Sequence, residues 1–104
     1  ANAGEYALAA LASCLTGTIV YHAAARGIVI RDLECSVRGD VHLQGFLGLD
    51  ADTRPGFEQV QVTVRIGGDF SDDQLAELAT LTRFSPVRDM VANPVDVDIT
   101  VVRA

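Results

Sequence analysis

Residues 5–26 read E-Y-A-L-A-A-L-A-S-C-L-T-G-T-I-V-Y-H-A-A-A-R, with no charge between Glu5 and Arg26. Ala and Leu dominate this stretch, and both are strong helix formers. Asn2, three residues before Glu5, reads as an N-cap with a capping-box partner. Arg26 suits the negative end of a helix dipole, and Gly27 suits the left-handed position just beyond it. One long helix is predicted, with Cys14 near its middle.

A surface helix shows one apolar stripe, whereas a helix apolar nearly all round needs cover on every side. About twenty uncharged residues is also the length of a membrane span. Ser13, Thr16, Gly17, Thr18 and His22 interrupt this one, much of the rest is weakly hydrophobic Ala, and amphipathic strand patterns follow it. The preferred reading is a soluble central helix covered by a sheet on one side and by a second subunit on the other, with no membrane partner.

Outward from the helix, the pattern changes period. Leu33, Cys35, Val37, Val41 and Leu43 alternate with polar residues, which predicts a half-buried strand. Residues 44–56 read as a loop, punctuated by Gly45, Gly48 and Arg54-Pro55-Gly56; Phe46, Leu47 and Leu49 suggest that it folds onto the core or a partner. Val60, Val62, Val64 and Ile66 predict a second strand, closed by Gly67-Gly68-Asp69 and paired antiparallel to the first. Ser71 to Gln74 forms a capping box before a helix reaching about Arg83. Ser85-Pro86 reads as a fresh N-cap and first helical residue, opening a short turn through about Val91. Val95, Val97, Ile99 and Val101 alternate with Asp96, Asp98 and Thr100 as a last strand. The order is α-β-β-α-β: an α+β fold of two layers in a single domain over residues 1–104. The helix cap at residue 2 leaves no lead-in element: either the domain opens on its main helix, or an N-terminal strand region is absent.

The chain carries 8 Arg, no Lys and 14 acidic residues, a net charge of −6. An acidic domain without a basic run is a poor match for a nucleic-acid backbone, so no nucleic-acid partner is expected. The two cysteines, at 14 and 35, have neither metal-ligand nor disulfide-framework spacing, and residues 1–5 carry no basic leader. These features point to a reducing cytoplasm, with no metal or other cofactor.

A reactive cysteine needs a nearby cation or helix N-terminus to lower its pKa. Cys14, in mid-helix, gets no help from its own helix dipole and would need an Arg brought from elsewhere. The opposing reading of a Cys on an apolar helix is simple packing. Cys35 is aimed at the core by its strand's alternation; beside Cys14 it would be a substitute resolving thiol. His22 lies eight residues after Cys14, about 80° round the helix and two turns along, out of reach as a base. It reads as a buried, hydrogen-bonded His, and His42 as a solvated one. Asp72-Asp73 and the Asp96, Asp98 pair read as solvating charges, and Gly67-Gly68 as a turn rather than a phosphate loop.

Residues 2–16, N-A-G-E-Y-A-L-A-A-L-A-S-C-L-T, resemble the helix of the OsmC/Ohr family (osmotically inducible and organic hydroperoxide resistance proteins) that carries its reactive cysteine. Residues 85–95, S-P-V-R-D-M-V-A-N-P-V, resemble the family's second signature, in which Pro-Val follows another Cys and Asn-Pro precedes the last strand. The likeness extends over essentially the whole chain. It implies an OsmC-like intertwined homodimer, with central helices wrapped by sheets, that reduces organic hydroperoxides with thiols. Cys14 corresponds to the peroxide-attacking cysteine, and Glu5 to a Glu near the family's active site. Three departures stand out. Ser85 occupies the position of the resolving cysteine, so an external thiol would have to regenerate Cys14. The family's activating arginine lies in strands before the helix; here Arg54, Arg83 and Arg88 are the arginines in or beside later loops, and none is singled out. Glu5 lies nine residues before Cys14, about half a turn away in projection, so it reaches a Cys only across a dimer or through a bend; otherwise it caps the helix. A non-catalytic dimeric module binding an apolar small molecule is the alternative.

Overall fold

The computed structural model describes residues 1–104. Helix α1 spans Ala3–Ala25, and the Asn2 side chain accepts a hydrogen bond from the Glu5 N–H at 2.8 Å. The reciprocal bond of a capping box does not form, so Asn2 caps alone. At the other end Gly27 takes φ +68°. Its N–H reaches the Ala24 carbonyl, and the Ile28 N–H reaches back to Ala23 at 2.9 Å. This double closure satisfies carbonyls that a bare helix end leaves open, and it needs a residue without a Cβ penalty at position 27.

The chain then runs through β1 (Val29–Gly39), a short helix α2 (Leu43–Phe46), β2 (Val60–Asp69), α3 (Asp72–Leu81), a 3₁₀ turn (Thr82–Phe84) and α4 (Pro86–Ala92). The strands form a two-stranded antiparallel sheet, with Cys35 opposite Val64 and Val37 opposite Val62. Between Ile30 and Asp32 the register shifts by one residue. That bulge explains a feature period two does not: Ile30 and Leu33, three apart in sequence, both pack against the core. Gly67 and Gly68 lie inside β2, opposite Asp32 and Ile30, rather than closing it as expected. A Cβ at Gly68 would stand 2.1 Å from the Val29 carbonyl oxygen, so the close backbone approach at the bulge excludes a side chain there.

The core sits where α1, α3 and the sheet meet. Leu11, Leu15, Ile19 and Ala23 form the one buried stripe of α1, at intervals of four residues. Ile19 and Ala23 join Ile28, Leu78 and Leu81 in a single cluster, flanked by Ile30, Leu33, Val64, Ile66 and Phe70. Burying each large aliphatic side chain contributes about 1.5–3 kcal/mol. The Ser71 capping box of α3 forms in both directions, and Ser85 caps α4 with Pro86 in its first turn, both as the local sequence predicts.

Two expectations fail, and a third narrows. β1 stops at Gly39, so Val41 and Leu43 leave the alternation: Val41 is exposed and Leu43 opens α2. Phe46, Leu47 and Leu49 are exposed and do not pack on this chain's core, which leaves cover by a partner as the expectation for them. The last strand does not form. Residues 95–101 have no regular structure, and Val97, Ile99 and Val101 are 72%, 78% and 90% exposed. A strand needs a neighbour for its backbone groups, and this chain's own fold offers that segment none. Only 9 of 104 residues are buried, and the radius of gyration is 17.2 Å, against about 13 Å for a compact chain of this length. Tyr6, Val20 and Tyr21, off the buried stripe of α1, are exposed. By length and composition α1 passes for a membrane span, yet its Leu11–Ala23 stripe packs on the chain's own core.

Candidate active site

Cys14 lies on the flank of the buried stripe, three residues past Leu11, where α1 meets α4. The α3–turn–α4 connection controls what faces it. The 3₁₀ turn ends at Ser85, whose N–H bonds the Thr82 carbonyl, and Ser85 then caps α4. Its side chain is fully buried, and its Oγ lies 3.1 Å from the Cys14 Sγ across a gap of 71 residues. Ser85 Oγ accepts the Arg88 N–H at 3.2 Å, leaving its hydroxyl proton to be donated to the sulfur.

Cys14 is half-buried, and its thiol pKa is lowered. The Ser85 hydroxyl is the main cause, followed by the Val87 backbone N–H, with burial opposing both and the Thr18 hydroxyl adding least. Thr18 donates to the Cys14 carbonyl at 2.8 Å, which occupies its single proton and limits its share. Hydrogen bonds to a charged form favour that form. Within this chain the groups that favour a thiolate are neutral donors. Arg83 is set over the Phe84 ring at 4.8 Å, and neither Arg54 nor Arg88 hydrogen-bonds the sulfur. Ser85 and Val87 come from the first turn of α4, a source of help invisible from the position of Cys14 in its own helix.

Cys35 behaves oppositely. Burial raises its pKa, partly offset by the Thr16 hydroxyl. Thr16 is two residues from Cys14, about 200° round α1, so the two thiols face different sides of the helix. Cys35 is thus not placed to resolve Cys14. Glu5 is exposed at the first turn, nine residues and about 13 Å along the axis from Cys14, and the fold of one chain does not bring them together. His22 is half-buried rather than fully enclosed; its ring stacks on Phe84 at 5.5 Å and its Nδ1 lies 3.2 Å from an Arg26 nitrogen. His42, on the surface, lies 3.6 Å from a Glu58 oxygen. No three His, Cys, Asp or Glu side chains come together as a metal site.

Two grooves adjoin this region on the sheet side of α1. One, of about 520 Å³, is lined by Leu11, Leu15, Phe57, Val60, Val62 and Val91, with Arg54 and Arg88 at its wall. The other, of about 370 Å³, shares Leu15, Val62 and Arg88 and runs on to Ile19, Val64 and Leu78. Cys14 lines neither.

Thr18 was legible in advance, since four residues on from Cys14 is the same helix face. Val87 was not, because a backbone N–H leaves no mark in the side-chain pattern. Ser85 was legible as a cap, and its place opposite Cys14 followed from the second signature alone.

Residues 1–100 match the family described as "OsmC-like protein". Among solved structures, the crystal structure of an OsmC like protein from Mycoplasma pneumoniae superposes with a TM-score of 0.74 at 20% identity. The match covers 86% of this chain and 60% of that one, so the chain spans less than two thirds of its structural relative. No curated protein sequence matches at a significant level.

Proposed function

Given that the chain belongs to the OsmC-like family, we propose that it reduces organic hydroperoxides, with Cys14 as the attacking thiol. The observation that carries this reading is the donor set around Cys14: a buried hydroxyl at 3.1 Å and a backbone N–H, both favouring the thiolate. The thiolate is the nucleophilic form of cysteine. It attacks the terminal oxygen of the hydroperoxide; the S–O bond forms as the O–O bond breaks. The alkoxide leaves and takes a proton to become the alcohol, and Cys14 becomes a sulfenic acid. Ser85 has no thiol to attack that sulfur, and Cys35 faces the other side of α1. An external thiol therefore condenses with the sulfenic acid, releasing water, and a second equivalent reduces the mixed disulfide. A cytoplasmic location supplies such thiols, and both cysteines are free here.

We take the working unit to be a homodimer. Supporting this are the uncovered apolar residues of α1, the unpaired alternation at 95–101 and the low burial of the single chain. Glu5 enters the site in this reading only from the partner subunit. To test the chemistry, the protein is treated with an alkyl hydroperoxide in the presence of a sulfenic-acid probe and digested. Labelling of Cys14, with dithiothreitol-dependent peroxide consumption, is expected. An unlabelled Cys14 and unconsumed peroxide would refute the proposal.

A second reading has one observation in its favour. The grooves along Leu15 and Val62 are apolar with arginine at the wall, a combination suited to a small apolar molecule with an acidic end. Ligand retained through purification, together with an inert Cys14, would favour that binding role over catalysis.

A further inference from the structure

Ser85 does more than end a turn and start a helix. Its side chain is fully buried, and its hydroxyl makes two hydrogen bonds, one accepted and one donated. One of its two lone pairs is taken by the Arg88 N–H at 3.2 Å, and that bond is fixed by α4 itself. The hydroxyl's single proton is donated to Cys14 Sγ, 3.1 Å away. On the far side, Cys14 sits within α1, one residue before the buried Leu15. The O–H···S contact is therefore held from both ends by helices rather than by a mobile loop.

We propose that Ser85 is the positioning residue of Cys14: its hydroxyl, aimed by the α4 cap, fixes the reacting sulfur and favours the thiolate. This deepens the hydroperoxide-reductase reading and rests on it for the identity of the substrate. The charged side chains on the elements packed against α1 do not take this part. Arg88 and Asp89 of α4, Arg83 of the 3₁₀ turn, Asp72, Asp73 and Glu77 of α3, and Arg31, Asp32, Glu34 and Arg38 of β1 make no hydrogen bond or ion pair with Cys14. The lowered thiol pKa agrees in direction, with the Ser85 hydroxyl as its largest cause.

The test separates positioning from packing and from the peroxidase reading. In a Cys35→Ser background, the rate of Cys14 alkylation by iodoacetamide is followed against pH for wild-type Ser85, Ser85→Ala and Ser85→Thr. Ser85→Ala is expected to move the midpoint to higher pH, with a loss of rate near neutrality that alkaline buffer restores. Ser85→Thr, which keeps the hydroxyl, is expected to hold the midpoint near that of the parent. An unchanged midpoint in Ser85→Ala would overturn the proposal. So would Ser85→Thr shifting as far as Ser85→Ala. If Ser85→Ala does not fold, Ser85→Gly replaces it, since a helix N-cap tolerates Gly nearly as well as Ser. Peroxide consumption is measured separately on the same proteins. A shifted midpoint without peroxide turnover in any of them sustains the role of Ser85 and removes the peroxidase reading. Turnover with an unshifted midpoint does the reverse.

Discussion

Replacing Ser85 with Cys turns the hydrogen-bonded pair into a candidate disulfide, and its size can be worked from the geometry. The Oγ–Sγ separation is 3.1 Å, and a disulfide needs about 2.05 Å, so the two atoms must close by about 1 Å. The bridge would tie residues 71 apart, for which chain-entropy loss in the unfolded state amounts to about 4.4 kcal/mol at 25 °C. Engineered bridges commonly deliver less, because native geometry must strain to accept them. We expect about 2–4 kcal/mol between the oxidised and reduced forms of Ser85→Cys. The assay is a urea titration with and without dithiothreitol, with peptide mapping to identify the bridged residues. One equivalent of an alkyl hydroperoxide should also produce the bridge, since the sulfenic acid at Cys14 then has a neighbouring thiol to condense with. Two titratable thiols remaining at positions 14 and 85 after oxidation would refute the placement of α4 against Cys14, and with it the site described here.

Leu78→Ala should cost about 2–5 kcal/mol in urea unfolding, because Leu78 is 0% exposed at the centre of the core cluster; Leu75→Ala, one turn away at 40% exposure, should cost clearly less. At neutral pH iodoacetamide should label Cys14 before Cys35, as read by peptide mass spectrometry, because the thiol pKa of the first is lowered and that of the second raised. The same shift has a sign for stability. A thiol pKa lowered on folding stabilises the fold fully above the unfolded value near 9.0, and that share is lost as pH falls through the folded value. The stability difference between wild type and Cys14→Ala should therefore grow as pH rises towards 9. Ile99→Asp should leave a single chain's stability within about 0.5 kcal/mol, since Ile99 is 78% exposed, yet weaken self-association in sedimentation. A wild-type protein that sediments at 11.0 kDa would end the homodimer reading.

Most of the helical architecture could be read from neighbouring residues. Asn2, Ser71 and Ser85 cap helices, Gly27 takes the left-handed turn, and Val60 to Ile66 alternate as a strand. These features follow from bonds that close within a few residues, so the information lies inside a short window. The polar identity of residues 96, 98 and 100 made a strand of the C-terminal segment equally readable, and there the same logic failed. A strand's hydrogen bonds lie outside itself, and alternation states only a readiness to pair. The bulge at Arg31 has the same origin: nothing local marks it, and it appears because Ile30 and Leu33 must both meet the core beneath α1.

The site divides along the same line. That Cys14 stands on a long apolar helix, and that Ser85 caps a short one, is written in the order of the amino acids, because helix and cap are local events. That Ser85 and Cys14, 71 positions apart, stand 3.1 Å from each other is a product of packing α4 on α1. So is the Val87 N–H that joins Ser85 in favouring the thiolate. Reactivity depends on the field at one atom, and that field is set by whatever folding brings near it.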